Sequence, residues 1–157
     1  MPENFKDLSI KFQKVVGIKN CITEKKEIEK YLEDWRGQIK GDTPLIVLPE
    51  SVDHVMEIVS LCNKNNLGIT TQGGNTSLCG ANLPLSEDKR IEIVINTSKL
   101  NKIIDIDLYN RSITVESGCI LQTIQEAASA KNLLFPLSLS AEAVSYTHLT
   151  LPTIYSV

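Results

Sequence analysis

The sequence predicts an α+β layer fold, and three observations lead there. Short apolar runs with turn residues at both ends, such as Leu45–Leu48 between Pro44 and Pro49, have the length and flanks of buried strands. Two longer stretches, Asn4–Val16 and Val52–Asn65, repeat apolar residues at helical spacing. These units follow one another irregularly: strand, helix, strand, glycine loop, strands, helix.

Each element has a local reason. Phe5, Leu8, Phe12, Val15 and Val16 share one face of a first helix that Gly17 ends. Thr23 is the expected N-cap of a helix from Glu24 to Leu32, with Ile28, Tyr31, Leu32 and Trp35 on its apolar side. Arg36–Thr43, with Gly37 and Gly41, reads as loop. Ser51 caps the helix Val52–Asn65, which turns Val55, Ile58, Val59 and Cys62 inward. His54 on that helix is expected to be a solvated surface residue. Ile69–Thr71 is a brief strand running into Gln72-Gly73-Gly74, and Ile91–Ile95 is a further buried strand. Lys102–Asp107 and Ser112–Glu116 flank a hairpin turn, Leu108–Arg111. Gly118 precedes a last helix, Ile120–Lys131, before extended chain at Leu133–Pro136.

Composition narrows the function classes. With 42% apolar residues and a net charge of −3, the chain is neither disordered nor a basic nucleic-acid binder. No apolar run approaches the length of a membrane span. Met1-Pro2-Glu3-Asn4 opens without a basic segment leading into an apolar one, so the expectation is a soluble, cytoplasmic protein. Cys21, Cys62, Cys79 and Cys119 form no C-x-x-C pair and have no histidine cluster, so no zinc site is expected. They read as small apolar residues in a reducing compartment.

The stretch Val144–Val157, VSYTHLTLPTIYSV, breaks the preceding pattern. Val144–Thr153 resembles, residue for residue, one translated frame of a transposon-end sequencing adapter. The expectation is a non-native tail, with native sequence cut off near Glu142.

The run that carries chemistry is I-T-T-Q-G-G-N-T-S-L-C-G-A, Ile69–Ala81. Adjacent glycines let the backbone turn sharply and approach a bulky anion. The N–H groups of Gly73, Gly74, Asn75 and Thr76 can form an anion-binding nest. The side chains of Asn75, Thr76 and Ser77 add neutral donors, and no Lys or Arg lies in the loop. A Walker A loop is excluded because Ala81, not Lys, follows Gly80. The dinucleotide fingerprint G-x-G-x-x-G is absent as well. On its own the loop also suits a plain glycine turn in a cofactor-free interaction domain.

The order P-L-I-V-L-P-E-S-V-D-H-V, helix, G-I-T-T-Q-G-G-N-T-S, hairpin and V-E-S-G-C resembles a known family. It is similar to the FAD-binding domain of the vanillyl-alcohol-oxidase and para-cresol-methylhydroxylase (PCMH) superfamily. In particular it resembles the branch of D-lactate, glycolate and D-2-hydroxyglutarate dehydrogenases. The likeness runs from about Tyr31 to Glu142; D-W-R-G at Asp34–Gly37 and F-P-L-S-L-S-A-E at Phe135–Glu142 belong to it.

The resemblance implies the N-terminal part of a PCMH-type domain: a helical lead-in at 1–43, a partial FAD-binding domain at 44–143 and the non-native tail at 144–157. It implies that Gln72, Gly73, Gly74, Asn75, Thr76 and Ser77 wrap the FAD pyrophosphate, that Gly80 and Ala81 close the loop, and that Pro136 and Leu137 lie near the flavin. Val47 and Pro49 would end the first strand of a small subdomain. Asp34, Trp35 and Arg36 read as a helix end with a packed Trp rather than substrate contacts. The implied activity is FAD-dependent oxidation of a small D-2-hydroxy acid to a 2-oxo acid. Catalytic residues would stand in later sequence, and the chain by itself would not turn over. No His stands between Ile69 and Ala81, which favours non-covalent FAD. A related FAD oxidase acting on sugars or alcohols is the alternative within the superfamily.

Overall fold

The computed structural model describes residues 5–85 and 90–138. The stretch read as adapter-derived, and Ala141-Glu142 before it, lie outside the described residues. Helix α1, Phe5–Val16, buries Leu8, Phe12 and Val16. It ends at Gly17, which takes φ 85°, a left-handed value that suits glycine. Strand β1, Cys21–Ile22, follows a single 3-10 turn. At two residues it is too short to announce itself by alternation.

The helix expected from Glu24 to Leu32 is only α2, Lys25–Ile28, tightening into a 3-10 turn over Glu29–Tyr31. Thr23 does not cap it: the cap position is Glu24, with no side-chain hydrogen bond. Ile28 and Leu32 are buried, but Trp35 is 65% exposed, so it is not the packed tryptophan expected. A carboxylate explains the difference. Asp34, 4% exposed, accepts from the backbone N–H groups of Arg36, Gln38 and Ile39 at 3.2, 2.7 and 2.6 Å. The chain wraps around Asp34, and Trp35 is carried outward.

Strand β2 is Ile46–Val47, shorter than the apolar run around it. Helix α3 is Val52–Lys64, and Ser51 Oγ accepts from the His54 N–H at 3.2 Å, as its sequence position predicts. Ile58 and Cys62 are buried on α3, Val55 is half-buried, and Val59 is exposed, against expectation. His54 is half-buried rather than solvated; its Nδ1 accepts from the Glu50 N–H at 3.3 Å, closing the helix start. Strands β3, Gly68–Gln72, and β4, Glu92–Asn96, complete the sheet, in the order β1-β2-β4-β3. β1 is antiparallel to β2, whereas β2, β4 and β3 are parallel.

The two-residue period of the strands divides the core. Leu45, Val47, Ile93 and Ile95 meet α1 and α3 on one face through Phe12, Ile58 and Cys62. Ile46, Leu48 and Val94 meet Ile28 and Leu32 on the other. Burial on both faces is why these strands are continuously apolar. Beyond the sheet, β5 (Ile103–Asp107) and β6 (Ser112–Val115) form a hairpin with an irregularity between Ile103 and Asp105. Helix α4, Leu121–Ser129, buries Leu121, Ile124 and Ala128.

Candidate functional site

The three parallel strands bring their carboxyl ends to one edge: Leu48-Pro49 after β2, Gly73 after β3 and Thr97 after β4. β4 is last in sequence yet lies between β2 and β3, and such an edge is where open α/β sheets hold ligands. The run Gln72–Ala81 stands there.

Gln72 ends β3 opposite Asn96, the last residue of β4. Its side chain is fully buried. Nε2 donates to the carbonyls of Tyr31 (2.8 Å) and Asn82 (3.2 Å), while Oε1 accepts from Asn96 Nδ2 at 3.3 Å. With these bonds made, Gln72 supports the loop from beneath rather than offering a side chain to a ligand. Asn96 Nδ2 also donates to the Gly73 carbonyl at 3.2 Å, and Asn96 Oδ1 accepts from the Ser98 N–H at 3.1 Å. Asn75 Nδ2 donates to the Glu33 carbonyl at 2.8 Å, and Asn75 Oδ1 accepts from Asn82 Nδ2.

The chain bends at Gly73, Gly74 and Asn75, as the paired glycines predict, but neither of these glycines takes a positive φ. The loop residues with positive φ are Asn75 (55°) and Gly80 (73°). Asn enters this region more readily than most side chains, and the Asn75 amide is held there by the distant Glu33 carbonyl and by Asn82. Gly80 has a second reason. A Cβ on it would meet Ile39 Cδ1 at 3.0 Å, so the loop closes directly on the turn wound around Asp34.

Gly73 is buried; Gly74, Asn75, Thr76 and Ser77 are half-buried; Leu78, Cys79 and Ala81 are exposed. Ser77 Oγ accepts from the Cys79 N–H at 3.4 Å and lies 3.4 Å from Cys79 Sγ. The Ser77 hydroxyl, followed by the Ala81 backbone, holds the Cys79 thiol below its ordinary range. Cys79 is exposed and so departs from the small, partly buried apolar role expected of it, whereas Cys21, Cys62 and Cys119 are buried, and all four are free thiols. Leu137 is held on α4 by Gln125 Nε2, which donates to its carbonyl at 2.8 Å; Pro136 beside it is exposed.

Sequence reasoning passed over Asn96, Asn82 and the carbonyls of Tyr31 and Glu33. The available signal was an amide ending the apolar strand I-E-I-V-I-N, where a buried polar group must find partners.

Two buried side-chain oxygens among the described residues have no hydrogen-bond partner: Asn82 Oδ1 and Thr97 Oγ1. Both lie at this edge, and leaving such a group unpaired costs about 1–3 kcal/mol. The edge therefore presents the loop backbone, the Thr76 and Ser77 hydroxyls and two unpaired side-chain oxygens, with no cationic side chain from Gln72 to Asn82. A dinucleotide has complements to both kinds of group: phosphate oxygens for the donors and sugar hydroxyls for the acceptors. The residues fit such a cofactor.

A parallel-stranded α/β layer with a glycine loop at its carboxyl edge has the form of a dinucleotide-holding domain. More particularly, the chain belongs to the FAD-binding domain family, whose model matches residues 43–145. That match ends within the stretch that resembles adapter sequence. The chain is 32% identical over 137 residues to the mitochondrial D-2-hydroxyglutarate dehydrogenase of Arabidopsis thaliana, covering 87% of this chain and 24% of that protein. It is 32% identical over 113 residues to a D-2-hydroxyglutarate–pyruvate transhydrogenase of Saccharomyces cerevisiae, covering 72% and 22%. It thus spans about a quarter of the length of these relatives.

Among solved structures, alkyldihydroxyacetonephosphate synthase superposes with a TM-score of 0.81 at 20% identity, covering 93% of this chain and 28% of that one. Substrate-bound p-cresol methylhydroxylase gives 0.71 at 22% identity, covering 92% and 28%. These two likenesses establish the PCMH-type fold. Among the described residues no helix is long and apolar enough to cross a membrane.

Proposed function

We propose that this chain supplies the FAD-gripping part of a dehydrogenase that oxidises a small D-2-hydroxy acid to the corresponding 2-oxo acid. What carries the proposal is the loop Gln72–Ala81 at the carboxyl edge of the parallel strands, in a chain 32% identical to a D-2-hydroxyglutarate dehydrogenase. When bound, the flavin supplies the hydride acceptor for the substrate α-carbon.

The residues of this chain bind and orient. The N–H groups of Gly73, Gly74, Asn75 and Thr76 would hold the pyrophosphate oxygens as a nest of dipoles. Thr76 and Ser77 add hydroxyl groups. Gln72 braces the loop from below, and Gly80 with Ala81 closes it. Pro136 and Leu137 would lie near the flavin. Residues 44–143 form a partial FAD-binding domain, and 1–43 lead into it. Substrate binding and proton acceptance fall to the sequence that the relatives have beyond the region matched here. The flavin is held without a covalent bond, which is supported by the absence of His from Ile69 to Ala81. We place the protein in the cytoplasm. Four free thiols suit any reducing interior, whereas the relatives named above include a mitochondrial one, so imaging the tagged protein separates the two compartments.

The test is reconstitution of the protein that carries this chain with FAD, followed by dye-linked turnover of D-lactate, glycolate and D-2-hydroxyglutarate. The expected result is a yellow protein that reduces the dye with at least one of these acids. A protein that stays colourless in excess FAD contradicts the proposal.

A further inference from the structure

We propose that Asn96 is a positioning residue for FAD: its side-chain amide fixes the peptide between Gly73 and Gly74 so that the Gly74 N–H points out of the loop. This rests on the FAD-gripping role given above. It concerns a residue outside the glycine loop that touches no cofactor itself.

A trans peptide is planar, and its C=O and N–H point in opposite directions. Asn96 Nδ2 holds the Gly73 carbonyl oxygen at 3.2 Å from the buried end of β4, and Asn96 is only 3% exposed. The N–H on the far side of the same peptide, that of Gly74, is therefore aimed away from the sheet end. A peptide flanked by two glycines has unusually free torsions on both sides, so without a brace its direction is not set.

The brace cannot reverse. A carbonyl only accepts and an N–H only donates, so the backbone dictates the polarity of each amide. The Glu33 carbonyl requires Asn75 Nδ2, which leaves Asn75 Oδ1 for Asn82 Nδ2. The carbonyls of Tyr31 and Asn82 require Gln72 Nε2, which leaves Gln72 Oε1 for Asn96. The Gly73 carbonyl requires Asn96 Nδ2, and the Ser98 N–H requires Asn96 Oδ1. Flipping any one amide sets like groups against each other. The network runs from the turn around Asp34, beneath the loop, to the end of β4.

The test compares wild type with Asn96→Asp. The aspartate keeps the size of the side chain and the acceptor for Ser98, but sets a carboxylate oxygen against the Gly73 carbonyl and Gln72 Oε1. Protonation restores a donor. Dissociation constants for FAD and for riboflavin, which lacks the pyrophosphate, are read from flavin fluorescence across mildly acid to mildly alkaline pH, beside the thermal midpoint of the flavin-free protein. The expected result is FAD binding about tenfold weaker at alkaline pH, as for the loss of one or two hydrogen bonds, recovering as pH falls. Riboflavin affinity stays at the wild-type value. If the aspartate variant does not fold, Asn96→Ser, shorter and uncharged, carries the same comparison without the pH arm. Variants that fold and bind FAD as wild type does overturn the proposal. So do variants in which FAD and riboflavin affinity fall together with the thermal midpoint, the mark of a merely structural residue. Wild type that binds riboflavin as tightly as FAD overturns the FAD-gripping role of the loop, and the proposal with it.

Discussion

A Cβ placed on Gly118 would stand 1.9 Å from the carbonyl oxygen of Thr97. The Gly118 N–H already donates to the Leu100 carbonyl at 2.7 Å, and the Leu100 N–H to the Thr97 carbonyl at 2.8 Å. The turn leaving β4 and the approach to α4 thus touch backbone to backbone, just past Asn96. Only glycine permits this.

Gly118→Ala should therefore destabilise the fold by more than about 3 kcal/mol, because the obstructing atoms are backbone and cannot swing aside. Gly17→Ala is the contrast: nothing lies within 4 Å of its added Cβ, but φ is 85°. Its expected cost is about 1–3 kcal/mol, for a backbone at φ 85° and ψ 154° that glycine alone adopts readily. Urea unfolding of both variants checks the order, and equal costs contradict the close approach at Gly118.

Asp34 gives the fold a defined acid sensitivity. Its backbone N–H donors, Ile39 first and then Arg36 and Gln38, outweigh the opposing effect of burial and hold its carboxyl below the ordinary value of 3.8. A carboxyl with a depressed folded pKa stabilises above its unfolded value, and that contribution is lost as pH falls from about 3.8 through the lower folded value. Asp34→Asn should be less stable than wild type near neutrality, with the gap narrowing over that acid window. Thermal midpoints measured against pH check this, and a constant gap contradicts it.

The thiols should divide into one and three. Burial pushes Cys21 and Cys62 up to about 11 and raises Cys119, whereas exposed Cys79 is lowered by the Ser77 hydroxyl and the loop backbone. Thiolate is the reactive form. A disulfide reagent should label Cys79 quickly in the native protein and the other three only after unfolding. Bound FAD should slow the Cys79 reaction, since the cofactor covers the loop. Ser77→Ala should raise the Cys79 pKa and slow its labelling.

What was legible follows physical range. Helices α1 and α3 were readable because their burial repeats along a dozen residues, and Ser51 marked a start with its own side chain. Strand β4 was readable because both faces are buried. Strand β1 was not, since two residues cannot show a period. Trp35 misled because its environment is set by Asp34, a carboxylate whose partners lie two to five residues ahead. At the candidate site, the glycine loop stood out by composition. The bracing role of its amides did not, because Gln72 finds Tyr31 and Asn75 finds Glu33 across 41 and 42 residues. Only the folded chain brings those groups together.

The most direct measurement is flavin content after reconstitution, wild type against Gly74→Val, in the protein that carries this chain. A β-branched side chain at Gly74 fills the space in which the pyrophosphate must approach the backbone and restricts the φ and ψ available there. Ser77→Ala, beside it, should cost only about 1 kcal/mol of FAD affinity, the value of one neutral hydrogen bond. The expected result is stoichiometric FAD in wild type, little loss in the Ser77 variant and none retained by Gly74→Val. Equal FAD content in wild type and the folded Gly74 variant contradicts the assignment of this loop to the cofactor.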